Sequence, residues 1–247
     1  MKNNKTLALI SCDAPQEIKS TLGAVGFQVI SLTRDCRLQS PVASHADMLI
    51  CVIGKNLFCS DRYYFDNRKM FQVIESYGYK VIPCDVNISS EYPGDIAFNM
   101  LFISGSIMGR VDNIPQEIRE LSIKNKIPLI GVKQGYTKCS TLLLDNSALI
   151  SADGGIIKEA KKLGISTLKI DNSPDAVTLP GYDYGFIGGA SGVFNKTVYL
   201  TGDITQHPNG SQIRSFCQTN GFEIYTLRNE NEKCIDIGGI IFLPMIS

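Results

Sequence analysis

The chain has 247 residues, 44% of them hydrophobic and 19% charged, and its 24 basic and 24 acidic side chains cancel to zero formal charge. That balance supports a sizeable core and excludes a disordered chain. No block of like charge stands out, so the electrostatic footprint of a nucleic-acid binder is missing, and a small molecule or another protein is the expected partner.

In chain order, Met1-Lys-Asn-Asn-Lys5 leads into an apolar run, Thr6-Leu-Ala-Leu-Ile-Ser-Cys12. With about six apolar residues the run is shorter than the core of a secretory leader, and a β-strand is expected there. No stretch approaches the ~20 apolar residues of a transmembrane helix. Asp13-Ala-Pro-Gln-Glu-Ile-Lys19 then reads as a helix start, with Asp as cap and Pro in the first turn. Gly26 is the expected stop, and a strand follows it.

The same phrase of strand, Asp, helix, stop and strand returns down the chain. Leu57-Phe-Cys-Ser-Asp61 opens a segment that stops at Gly78. Asp112-Asn-Ile-Pro-Gln-Glu-Ile-Arg119 repeats the first phrase closely and stops at Asn125. Ala148-Leu-Ile-Ser-Ala-Asp153 runs to Gly164, and Val198-Tyr-Leu-Thr-Gly-Asp203 runs to Gly221. The aspartates are 48, 51, 41 and 50 residues apart, and all five are expected to cap helices.

Four of these strands follow a second apolar strand and a tight turn. Residues 47–53 turn at Gly54-Lys-Asn56, residues 98–103 near Ser104-Gly105, residues 139–144 at Asp145-Asn-Ser147, and residues 185–194 at Asn195-Lys196. Nothing before Thr6 supplies that strand for the first unit, while residues 234–243 form a terminal strand with no partner of their own. Pairing them with residues 7–11 leaves no open edge. The expected architecture is therefore α/β, a five-fold ββαβ repeat closed into a ring, its last unit completed by the N- and C-terminal strands, with residues 1–247 forming a single domain. A TIM barrel would need eight βα units where five helices are counted. A Rossmann sheet would need G-x-G-x-x-G after the first strand. Gly185-Phe-Ile-Gly-Gly-Ala-Ser-Gly192 has no helix after it and reads as close backbone approach at a crowded centre.

The eight cysteines form no C-x-x-C pair, and the two histidines, His45 and His207, lie near no spaced cysteine pair. Reduced thiols in a cytoplasmic protein are expected, with no metal and no cofactor. His207, in Gln206-His-Pro-Asn-Gly210, is expected to face solvent.

In such a ring the starts of the first strands converge on a central cavity, the default binding site. They bring His45 and Asp47, Asn99, Lys138 and Cys139, the segment Tyr182-Asp183-Tyr184, and Asp236. A thiol, an imidazole and carboxylates suit attack on a cationic amidine carbon: the thiolate is the nucleophile, His moves protons, and the carboxylates pair with a guanidinium. Plain structural readings stand beside these. Cys139 fits a small core residue, His45 a surface or capping residue, and Asp47 and Asp236 could bond backbone N–H groups at strand ends.

The five-unit pattern resembles the pentein superfamily, the α/β-propeller fold of guanidino-group-modifying enzymes, which includes arginine deiminase, dimethylarginine hydrolase, agmatine deiminase and the amidinotransferases. It is also similar to uncharacterised bacterial proteins of that fold. In the enzymes a Cys opens the first strand of the last unit, His-x-Asp opens a middle unit, and an acidic residue beside paired glycines opens another. Cys139-Ser-Thr-Leu-Leu-Leu144, His45-Ala-Asp47 and Asp236-Ile-Gly-Gly239 are similar to these. The enzymes carry their Cys near the C-terminus, whereas Gly239-Ile-Ile-Phe-Leu243 has none, so the motif order matches only under circular permutation. The resemblance implies a hydrolase or transferase with Cys139 and His45 as catalytic residues and Asp47, Asp236 and Asn99 binding the substrate. The alternative is a non-catalytic ring that binds a protein or small ligand. An enzyme is expected to hold one thiol of unusually low pKa, and a binding ring none.

Overall fold

The computed structural model describes residues 6–246. Its first strand, β1 (Thr6–Ser11), is buried on both faces. Leu7 and Leu9 pack with Met48, Ile50 and Phe58, while Ala8 and Ile10 pack with Phe27, Tyr199 and Leu227. A strand covered on both sides is apolar throughout instead of alternating, which gives this run its leader-like composition. The expected basic flank, residues 1–5, lies outside the described residues.

From β1 the chain passes through α1 (Gln16–Val25) to β2 (Gln28–Leu32). A short helix, α2 (Ala46–Leu49), leads to the hairpin of β3 (Cys51–Ile53) and β4 (Asn56–Ser60), then to α3 (Asp61–Asp66), α4 (Arg68–Ser76) and β5 (Lys80–Cys84). Next come β6 (Leu101–Ile103), β7 (Ser106–Gly109), α5 (Gln116–Asn125) and β8 (Leu129–Gly131). They are followed by β9 (Thr141–Asp145), β10 (Ala148–Ser151), α6 (Gly154–Lys162) and β11 (Ser166–Lys169). After β12 (Val177–Thr178) come β13 (Ser191–Phe194), β14 (Thr197–Leu200), α7 (Gly210–Thr219) and β15 (Glu223–Thr226). β16 (Cys234–Ile235) and β17 (Ile241–Pro244) end the chain.

Five three-stranded sheets share one internal order, the middle strand antiparallel to the first and parallel to the third. The first of them takes β17 as its antiparallel strand, with Leu7 opposite Leu243. β12 and β16 form a small parallel pair of their own. Apolar clusters join the sheets. Leu101, Ile103 and Met108 pack with Leu149 and Ile156; Leu142 and Ile150 with Val198 and Leu200; Ala8 and Ile10 with Tyr199. A fourth cluster runs from Leu7 through Phe58 and Phe71 to Ile107 and Ile118.

Several local expectations are corrected. Each first strand is shorter than its apolar run: residues 46–49 form α2, and residues 185–190 are turn and coil. Their burial comes from packing between sheets, which an apolar run shares with a strand. Of the five aspartates, Asp153 caps α6 by accepting from the Ile156 N–H at 2.8 Å, and Asp203 caps a 3-10 turn through the Thr205 N–H at 2.9 Å. Ser60, not Asp61, caps α3. Pro15 and Pro115 precede α1 and α5 with no side-chain cap, and Asp112 sits in a 3-10 turn. Asp13 instead binds Arg34 and accepts the Ser44 hydroxyl at 2.6 Å. Where four units end their helices with a glycine at positive φ, α5 uses Lys126, with φ of 55°, in place of the expected Asn125.

Among the described residues, no helix is long and apolar enough to cross a membrane.

Candidate active site

The candidate residues lie in the segments that precede the first strands, irregular except for α2, which carries Asp47. Asn99 and Cys139 each stand two residues before theirs, and His45 stands six before its own. Chain contacts between sheets hold these segments together. The Asp47 N–H donates to the Gly238 carbonyl at 3.1 Å, the Gly189 N–H to the Cys139 carbonyl at 3.2 Å, and the Ile237 and Gly239 N–H groups both donate to the Gly189 carbonyl. Such approach needs missing side chains. A Cβ on Gly189 would lie 2.0 Å from Asp236 Oδ1, and one on Gly238, whose φ is 76°, would lie 2.2 Å from the His45 Cβ.

These segments meet at a cavity of about 250 Å³ lined by His45, Cys139 and Asp236 together with Met48, Asp95, Tyr136, Tyr182, Asp183, Tyr184 and Phe186. The segments leading into four sheets and the loop after β16 therefore contribute to its lining. His45 is buried, and its Nδ1 lies 3.7 Å from Asp236 Oδ1. Asp236 Oδ1 also accepts the Gly238 N–H at 2.9 Å, and its Oδ2 accepts the Phe186 N–H at 2.8 Å. The backbone-bonding role weighed for Asp236 is thus present, alongside its place in the cavity. Burial pushes its carboxyl upward, a shift opposed by His45 and reinforced by Asp47.

Asn99 is spent on the protein. Its Oδ1 accepts the Lys138 and Cys139 N–H groups at 2.8 and 3.2 Å, and its Nδ2 lies 2.8 Å from Cys139 Sγ and 3.3 Å from Met48 Sδ. It fixes the turn that carries the thiol and is not among the residues lining the cavity, where a substrate contact was expected. Asp47 also lies behind the lining. It is 1% exposed, and its carboxylate oxygens meet no N–H or O–H donor; the neighbouring donor is the weak thiol of Cys139. A buried carboxylate so poorly supplied with donors is costly in an unliganded fold.

Cys139 is 5% exposed and packs in the apolar cluster, so its core role is real. Burial pushes its thiol well above the ordinary range, and the charges of Asp47 and Asp236 push it further, against the opposing bond from Asn99. In the unliganded protein, low dielectric and two nearby carboxylates both disfavour the Cys139 thiolate. Burial also raises Cys51 and Cys234, each to about 12.

The sequence expectations missed Asp95 and Tyr136. Asp95 is buried, its Oδ2 accepting the Tyr136 hydroxyl at 2.6 Å. Like His45, it stands six residues before the first strand of its unit, and that shared offset is the signal that could have found it. His207 is corrected in the opposite sense. It is 4% exposed, its Nδ1 accepts the Asn209 N–H at 3.0 Å, and its Nε2 is buried without a partner. Among the described residues, no group of three or more His, Cys, Asp or Glu is arranged to hold a metal ion.

Small sheets of this order match the pentein fold of the solved structures that the chain resembles. Residues 9–241 match the family of unknown function DUF6873, and the chain belongs to that family. Among solved structures it is similar to dimethylarginine dimethylaminohydrolase from Pseudomonas aeruginosa, in a cysteine-to-serine mutant complexed with citrulline. That match has a TM-score of 0.55 at 10% identity, covering 97% of this chain and 98% of the other. An amidinotransferase from Microseira wollei, of the saxitoxin biosynthetic pathway, matches with a TM-score of 0.58 at 11% identity, covering 97% and 94%. Agmatine deiminase from C. jejuni matches at 0.52 and 9%, covering 90% and 87%. At such identity the likeness is one of fold. No curated protein matches the chain.

Proposed function

We propose that this chain is a hydrolase or transferase acting on a guanidino or amidino group, with its five sheets closed into a ring as a single domain around the cavity. The observation that carries this reading is electrostatic. Asp236 at the cavity wall, beside His45, and Asp47 behind it flank a buried thiol, and no Lys or Arg is among the residues lining the cavity. A planar cation with several N–H donors satisfies both carboxylates at once. The ring closure is supported by the apolar clusters, which link the sheets in cyclic succession, and the activity by the guanidino chemistry of the structural neighbours.

In this reading the substrate switches on its own nucleophile. The guanidinium charge offsets the carboxylates that hold Cys139 neutral, and the thiol proton passes to His45. Sγ then attacks the central carbon, forming a C–S bond. One C–N bond breaks, and His45 returns its proton to the departing nitrogen. Attack by water on the resulting amidino thioether completes hydrolysis, and attack by an amine completes transfer, with Cys139 released in either case.

The test is to incubate the protein with a panel of guanidino compounds, assay the released amine or ammonia, and look by mass spectrometry for a covalent adduct on Cys139. Turnover lost in Cys139→Ser with binding kept supports the reading. Binding without turnover or adduct would favour the non-catalytic ring, and no binding of any guanidinium would overturn the reading.

A further inference from the structure

The cavity is lined by two carboxylates that the chemistry above does not use, Asp95 and Asp183. Asp95 is 7% exposed and lines the cavity, and while its Oδ2 takes the Tyr136 hydroxyl, its Oδ1 is buried with no hydrogen-bond partner. Around it stand aromatic rings. Tyr136 and Phe186 are 6.3 Å apart, Tyr184 and Phe186 meet edge-on at 5.7 Å, and Tyr182 and Tyr184 line the same cavity while 43% and 38% exposed, which places them at its mouth. Asp183 lines the cavity between them in sequence. Ring faces and a dehydrated carboxylate both favour an organic cation.

No Lys or Arg is among the residues lining this cavity. The guanidinium groups of Arg34 and Arg110 are engaged elsewhere, Arg34 with Asp13 and Arg110 with the hydroxyl and ring of Tyr92. A carboxylate on the substrate tail would therefore meet Asp95 and Asp183 with no cation to pair it, and like-charge contact selects against such a ligand.

We propose that Asp95, with Tyr136, Tyr182 and Tyr184, forms a second cation subsite, and that the substrate is an aliphatic guanidine whose tail ends in an amine and carries no carboxylate. This rests on the guanidinium reading of the inner site. The test is calorimetric titration of the Cys139→Ser protein, in which turnover does not intrude, with guanidinobutylamine, butylguanidine, guanidinobutyrate and arginine. A charge-assisted bond at a dehydrated site predicts that the amine-tailed compound binds about ten- to hundredfold tighter than butylguanidine, with the two carboxylates weakest. Adding Asp95→Asn should weaken the amine-tailed compound about tenfold and butylguanidine less than about twofold. The ligand ranking needs no second variant, so it stands even if Asp95→Asn fails to fold. Equal binding of amine-tailed and neutral guanidines, or preference for a carboxylate tail, overturns the second subsite while leaving the inner site intact. Failure of every guanidine to bind overturns both.

Discussion

Replacing Asp47 by Asn should make the unliganded protein more stable and Cys139 more reactive while weakening guanidinium binding. The wild-type carboxylate is 1% exposed and meets no N–H or O–H donor, only the weak thiol donor of Cys139, so its desolvation is poorly compensated until a cation arrives. The amide keeps the shape and removes the charge. Relief of an unpaired buried charge is worth about 1–3 kcal/mol, and for a chain of this length each kcal/mol moves Tm by about 2–4 °C. The thiol responds in the same direction. Asp47 is among the charges that raise Cys139, and a neighbouring charge shifts such a group by about 1.4–4 kcal/mol. Because 1.36 kcal/mol corresponds to about tenfold in thiolate population, alkylation of Cys139 at pH 7 should quicken about ten- to thousandfold. Thermal unfolding with and without a guanidinium ligand, together with mass-mapped alkylation rates, reads all three effects. A variant that melts lower, binds guanidinium as before and leaves the Cys139 rate unmoved would show that Asp47 serves only the fold.

Three further outcomes are expected. In the unliganded protein, Cys139 should alkylate far more slowly at pH 7 than the exposed Cys36, and a saturating guanidinium ligand that leaves the cavity mouth open should narrow the gap; a fast Cys139 without ligand would contradict the electrostatic reading. Burial holds His207 below its ordinary pKa, so the unfolded chain binds its proton first and stability is lost as pH falls below about 6.5, by up to about 1.4 kcal/mol per pH unit; urea midpoints of wild type and His207→Gln should diverge there, and parallel curves would refute it. Gly189→Ala puts a Cβ 2.0 Å from Asp236 Oδ1 and should cost about 1–3 kcal/mol and most of the guanidinium binding, so a variant with wild-type Tm and affinity would show that Asp236 has room to move.

What the sequence made legible followed from local rules. Turn residues at 54–55, 104–105 and 195–196 sit in two-residue hairpin loops, and β17 pairs with β1. The pairing could be read because an unpartnered apolar strand at each end of the chain is a stronger signal than either alone. What failed is equally specific. Residues 46–50 are all buried, so neither a period of 2 nor one of 3.6 shows, and a helical turn passes for the start of a strand. Asp13 looks like a cap beside Pro15, yet Arg34, far along the chain, takes it. Tyr136 and Asp95 meet across 41 residues, from a loop and a turn that carry no periodicity at all.

The site also explains why its residues are hard to separate from the core. Each group stands where the chain enters a sheet, and its own backbone is bonded to a neighbouring segment: Asp47 to Gly238, Cys139 to Gly189 and to Asn99. Cys139 packs among apolar residues because the segment that carries it must bury its surface to be fixed there, and a fixed segment is what holds the thiol beside Asn99 and the two carboxylates. The same burial denies the carboxylates water, and this makes an incoming cation valuable. Core packing and chemistry are thus two consequences of one arrangement. At Asp47, where packing offers only the weak thiol donor of Cys139, the fold carries a cost that a cationic ligand would relieve, and there a gain in stability should accompany a loss of binding.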